Sequence, residues 1–393
     1  MSHTKEVKSK LKLNALGHSY NDIYFFIIPL LLPLLREEFS INYVQSGLIL
    51  TIHVALRSLF SLLFGYFGDQ YDKRVIIASG FVFSSVFLGS LMWLKNFPTI
   101  ITLLFLLAIG VSTYHPLATA MVRENSTIKD RGRYLSLFSA AGTAGIIVAS
   151  LLFGIFVQRW GWKITCLLFS FPGYFLAYAY LKLKKDKKNH KTEAERKIKK
   201  GFIYLFFTSI GIRCLGHWAI LSFLPIYATD YMGMKPETSA WIISVNFTGV
   251  FLGSLISSKI SDKYQPIFFI LSTTLISSCL LLSITFITHT LFLTLLIILL
   301  GFSEGIFFPA QNTWLTFVCP AHKQGKYFGI GLFAEGLSAT IAPALYGWIA
   351  DQIGLIWAYR LAVIPSFISF ALFLILHFLE NKQSMMEDSS ILY

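Results

Sequence analysis

Asp22 lies four residues after His18, Arg57 four after His53, and His217 four after Arg213, each pair within a long apolar run. Residues four apart meet on one face of a helix, so each pair presents two polar groups at one place. Glu304 and Glu335 stand in two further apolar runs, and His115 is followed by Pro116 in another. An ionisable side chain at the centre of a bilayer costs about 2.5–3.5 kcal/mol on insertion scales, which makes each of these a candidate for function. Asp22, about 12 Å along its helix at ~1.5 Å per residue, is the expected main proton carrier. His18, Glu335 and Glu304 are the other candidates for proton coupling, histidine being the side chain that changes charge near neutral pH. Arg213 and Arg57 have the planar fork that grips a carboxylate or phosphate bidentately. His53, His217, His115, Tyr24, Tyr114, Gln311 and Asn312 complete the expected substrate contacts, with Tyr20 as a further aromatic. An internal role stays open for each: Arg213 pairs equally well with Asp22, Glu304 or Glu335, and Arg57 with any carboxylate that fixes helix packing. For His115 the alternative is donation to a backbone carbonyl freed by the proline.

The elements that must position these groups are membrane spans. The 393 residues are 55% hydrophobic and 13% charged, with mean hydropathy +0.64, whereas soluble domains carry about 25% charged residues. A spanning helix needs about 20 apolar residues. Twelve stretches qualify: 14–35, 44–68, 74–95, 98–122, 133–158 and 162–183, then 201–228, 238–260, 267–288, 291–315, 327–350 and 357–379. The reading is an all-α membrane protein: a six-helix bundle over 1–183, a basic linker over 184–200, a second six-helix bundle over 201–379, and a tail over 380–393.

The net charge of +13 is concentrated rather than spread, with ten of the 33 Lys and Arg in 182–200. That distribution follows the positive-inside rule and gives no sign of nucleic-acid binding. With both termini in the cytoplasm, 25 of these residues fall inside, 6 outside and 2 within spans. The lipid bilayer is the implied partner. Cys166, Cys214, Cys279 and Cys319 lack the close Cys/His spacing of a metal site, so no metal or cofactor is expected.

The two halves repeat at an offset of 193 residues: Asp69 with Asp262, His115-Pro116 with Phe308-Pro309, Gly142 with Glu335, and Gly154 with Gly347. Paired repeats with a substrate site between them are a transporter architecture. No Gly-x-x-x-x-Gly-Lys-(Ser/Thr) loop is present, so nucleotide hydrolysis is not the energy source. An ion gradient remains, and protons fit the histidines and carboxylates. An enzyme, a sensor and a scaffold are all disfavoured.

One loop carries a family signature. Gly65-Tyr-Phe-Gly-Asp69-Gln-Tyr-Asp-Lys73-Arg74 resembles the Gly-x-x-x-Asp-x-x-x-(Arg/Lys)-(Arg/Lys) motif of the major facilitator superfamily, with Gln70 and Asp72 departing from its usual residues. A more degraded copy surrounds Asp262. The resemblance implies a twelve-helix fold, alternating access, and a gating role for Gly65, Asp69, Lys73, Arg74 and Asp262. Gly17-His18-Ser-Tyr-Asn21-Asp22, Ser46-Gly47-Leu-Ile-Leu-Thr51 and Tyr114-His115-Pro116 are similar to fosmidomycin-resistance-type exporters. That likeness implies a monomer in a bacterial inner membrane that exports a small drug-like or anionic compound against protons. The alternative is a proton-coupled carrier of an anionic metabolite or siderophore.

Overall fold

The computed structural model describes residues 2–126, 131–184, 200–260, 265–318 and 324–390. These form helices with no strand among the described residues: α1 (Ser2–Phe39), α2 (Tyr43–Gln70), α3 (Lys73–Ser90), α4 (Phe97–Ser112), α5 (Tyr114–Glu124), α6 (Arg131–Lys182), α7 (Lys200–Asp230), α8 (Pro236–Ser239), α9 (Trp241–Ile260), α10 (Pro266–Ile284), α11 (Thr290–Val318), α12 (Gln324–Ile353) and α13 (Leu355–Ser390). Short polar residues set the starts. Asn42 and Gln45 form a reciprocal capping box on α2, Asp72 caps α3, and Asn96 caps α4 just before Pro98. Such side chains satisfy backbone N–H groups that the first turn leaves without partners.

Nine described segments are each long and apolar enough to cross a membrane. One of them, Leu137–Lys182, is 46 residues long and turns at Gly161, whose φ of 77° suits a residue without a Cβ. Its length allows two passes at about 20 residues each, as the sequence expects there. Helices α1 and α12 are not among the nine, and polar residues such as Asp22 and Glu335 within their apolar runs lower their hydropathy. The expected count of twelve therefore rests on the sequence, while a multi-pass helical membrane protein is what the structure supports.

The chain divides into two compact units, Met1–His190 with Ser222–Phe247, and Lys191–Leu221 with Thr248–Tyr393. The repeat in the sequence suggests a single cut near 184–200, of which 185–199 lie outside the described residues. The first unit also takes in the end of α7 and the start of α9. Within it, Arg36 and Tyr43 both reach Asp230 at 2.9 Å, and the Ser244 hydroxyl donates to the Ile147 carbonyl at 3.0 Å. Close packing of α1 on α6 supports the site: Ser19 donates to the Ala141 carbonyl at 2.5 Å and Tyr20 to the Phe169 carbonyl at 2.8 Å. The second unit is built on an aromatic core in which Phe206 stacks on Trp314, with centroids 3.9 Å apart, beside Phe307 and Phe373.

Candidate functional site

In the first unit α1 and α5 bring three polar side chains together. Asp22 is held from two sides: His115 Nε2 lies 3.0 Å from Oδ1, and His18 Nε2 lies 3.3 Å from Oδ2. His18 Nδ1 is 2.6 Å from the Phe138 carbonyl. A carbonyl only accepts, so Nδ1 carries a hydrogen, and the tautomer of His18 is set by that contact. Nε2 then turns a lone pair toward the carboxylate unless a second proton sits there. Two lone-pair centres at this distance need a shared proton or a bound cation between them.

Gly142 explains how the cluster fits. A Cβ placed on it would lie 2.6 Å from Asp22 Oδ2 and 3.0 Å from His18 Nε2, so no residue larger than glycine leaves room for the pair as it stands. His115 is free to reach Asp22 for a related reason. Pro116 has no N–H to give Ser112, the helix breaks at Thr113, and the Ser112 carbonyl is taken instead by Ser61 from α2 at 3.1 Å. The alternative open for His115, donation to that freed carbonyl, is thus filled by Ser61.

Arg57 extends the cluster. Its guanidinium lies 4.0 Å over the Phe25 ring and its charge acts on Asp22. Among the described residues it makes no ion pair. His53, one turn earlier, is buried against Phe25 with ring centroids 5.2 Å apart.

The second unit assembles the remaining candidates differently. Arg213 Nη2 donates to Glu304 Oε1 in a close ion pair, and His217 Nδ1 stands 3.5 Å from the same oxygen. Of the three carboxylates open to Arg213 in the sequence, Glu304 is the partner. Both side chains are 2% exposed, and the guanidinium is stacked 3.7 Å over Phe307. Even so, Arg213 Nε and Nη1 and Glu304 Oε2 have no hydrogen-bond partner. Gln311 donates to Glu335 at 2.6 Å, while Asn312, its neighbour, is exposed.

The tyrosines are engaged in packing. Tyr24 is bonded to Ser85 at 2.8 Å, and Tyr114 reaches the Asn14 carbonyl at 2.5 Å and Tyr180 at 3.1 Å. In the signature loop Lys73 pairs with Glu124 at 2.7 Å, and Arg74 pairs with Asp72 at 2.6 Å and reaches the Leu183 carbonyl. Asp72, a departure from the family pattern, thus caps α3 and holds Arg74. Gly65 is half-buried; the Asp69 side chain and Asp262 lie outside the described residues. Sequence reasoning missed Phe138, Ser61, Phe25 and Glu124. Gly142 was visible, since the repeat sets it opposite Glu335.

The model of the Major Facilitator Superfamily matches residues 15–207 and again 206–390. A cis,cis-muconate transport protein of Acinetobacter baylyi is 24% identical over 337 residues, 81% of each chain. A proton-coupled antiporter flippase, LtaA, of Staphylococcus haemolyticus is 23% identical over 365 residues, 85% of this chain and 88% of the relative. Among solved structures, a bacterial homologue of the human lysosomal transporter Spinster, inward-facing and occupied, matches with TM-score 0.78 at 16% identity, over 93% of this chain and 96% of that one.

Proposed function

The chain belongs to the major facilitator superfamily, and from that premise we propose that it couples protons to the movement of a small anionic or drug-like compound across a bacterial inner membrane. It is a membrane transporter and not an enzyme. Asp22 carries the proton, and Arg57 binds the anionic group of the substrate. A single observation carries this reading: a carboxylate clasped by two histidines is within electrostatic reach of a guanidinium that makes no ion pair among the described residues. Protonating Asp22 removes the negative charge that Arg57 feels, which leaves the guanidinium for a substrate anion. Deprotonation restores that charge and favours release. Proton and substrate anion therefore bind in the same state, coupled through one charge pair.

Two relatives lend support, one named for the transport of cis,cis-muconate, a dicarboxylate, and one for proton-coupled antiport. Arg213, the other expected anion-binding residue, is held by Glu304 in this structure. Its partnerless Nε and Nη1 favour a second anion contact reached when that pair opens. Both termini are placed in the cytoplasm on the charge bias of the loops, and the protein works as a monomer.

Substrate-driven proton movement in inside-out vesicles tests the proposal, with a panel of anionic, zwitterionic and cationic compounds. Anions are expected to give the signal. Asp22→Asn should abolish it, and Arg57→Ala should raise the half-saturating anion concentration about tenfold or more, the scale of a lost charged hydrogen bond. A signal from cationic compounds that Arg57→Ala leaves unchanged overturns the assignment.

A further inference from the structure

We infer that His18, Asp22 and His115 form a binding site for one divalent first-row transition-metal ion, such as Zn²⁺ or Co²⁺. One ring nitrogen from each of His18 and His115 and one Asp22 oxygen all lie within 4.8 Å of one another. Ligand atoms around a tetrahedral ion, with bonds of about 2.0–2.1 Å, sit roughly 3.3 Å apart. His18 Nε2 and Asp22 Oδ2 are already at 3.3 Å. His115 completes the set, its Nε2 3.0 Å from Asp22 Oδ1 on a helix that starts again at Tyr114.

Three features separate this cluster from an ordinary buried ion pair. The first is the Phe138 carbonyl, which accepts from His18 Nδ1 at 2.6 Å. A metal-bound histidine nearly always donates its other nitrogen in this way, which fixes the ring and leaves the lone pair for the metal. The second is the notch at Gly142, where a Cβ would lie 2.6 Å from Oδ2 and 3.0 Å from Nε2. The third is the donor set. Two imidazoles and one carboxylate suit zinc, cobalt or nickel, whereas magnesium and calcium require oxygen ligands. The sequence offered no sign of the site, because its ligands come from two helices and include no cysteine.

The metal takes the place between His18 and Asp22 that a proton otherwise holds, so binding displaces protons. This goes beyond the transport reading, since neither statement requires the other. The test uses full-length protein without a histidine tag, in detergent, freed of metal by chelation and titrated with Co²⁺. Visible absorption, equilibrium dialysis and proton release are followed together. One equivalent is expected, with a tetrahedral spectrum, displaced by Zn²⁺ and not by excess Mg²⁺ or Ca²⁺. His18→Gln and His115→Asn, which preserve polarity and bulk, should each weaken binding at least tenfold, given that even outer-shell losses cost about 10–100-fold. Gly142→Ala should weaken it through the notch alone. His377→Ala, on α13, should leave it unchanged. Co²⁺ binding that survives both ligand substitutions, or that falls with His377→Ala, overturns the site. Failure here leaves substrate-driven proton movement in vesicles, measured in chelator, untouched; loss of that movement in chelator with intact Co²⁺ binding would instead sink the transport reading alone.

Discussion

The two repeats place their polar residues at different positions of one frame. Where the second has Glu304, Gln311 and Glu335, the first has Val111, Ala118 and Gly142; where the first has His115, the second has Phe308. The first unit keeps its carboxylate on α1, half-buried and clasped by histidines. The second keeps its cation on α7, sealed against Glu304 and Phe307. A duplicated frame has thus been filled with complementary chemistry. One side has a group that can change its charge without leaving a bare ion, while the other has a fixed pair that cannot lose either member cheaply.

The largest expected effect breaks the second cluster. Removing one member of a buried ion pair strands the other and costs about 3–5 kcal/mol. Arg213→Ala and Glu304→Ala should each lower thermal stability in detergent steeply. The combined Arg213→Met, Glu304→Leu variant should recover most of it, because a matched apolar pair leaves no charge behind. Single variants as stable as the parent would show that the pair is solvated, and the contrast between the units would fall.

Asp22→Asn is the matching change in the first cluster. Here the amide still accepts from His115, so stability should fall by only about 1 kcal/mol, the net worth of one hydrogen bond, while substrate-driven proton movement is lost. A destabilisation equal to that of Glu304→Ala would mean that Asp22 is a structural anchor. Gly142→Ala lies between these in stability, at about 1–3 kcal/mol for an overpacked contact, read by the same thermal shift. A silent Gly142→Ala would show that α6 yields at this point.

Much of this frame was legible in the residues. Apolar runs about 20 long are forced by the bilayer, and the 193-residue offset needs no gap through the central spans, so the repeats and the Gly142–Glu335 contrast follow from counting. Partners were harder to read. Arg213 had three carboxylates within the range of a sequence argument, and only the packing of α7 on α11 selects Glu304. His115 was open to a freed carbonyl until the structure placed Ser61 there. The grouping of 222–247 with the first unit was also hidden, since contacts such as Arg36 to Asp230 join residues nearly two hundred apart. Departures from a motif proved readable only afterwards: Asp72 looks like a defect in the signature and serves as a helix cap.

Glu335 gives the smallest and most discriminating prediction. It is the one acid of the second cluster with a neutral partner, Gln311, whose side-chain oxygen has no hydrogen-bond partner. Replacing it with Gln keeps an oxygen facing the Gln311 amide, so stability should change by less than about 1 kcal/mol. Glu335→Gly, which installs the residue of the first repeat, removes that acceptor and strands a buried amide, at about 1–3 kcal/mol. The order therefore runs Gln, then Gly, with both well short of Glu304→Ala. Should Glu335→Gln cost as much as Glu304→Ala, the charge on Glu335 would itself be holding the fold. The second unit would then contain two fixed anions against one guanidinium, and a chargeable first unit would no longer stand opposite a balanced second one.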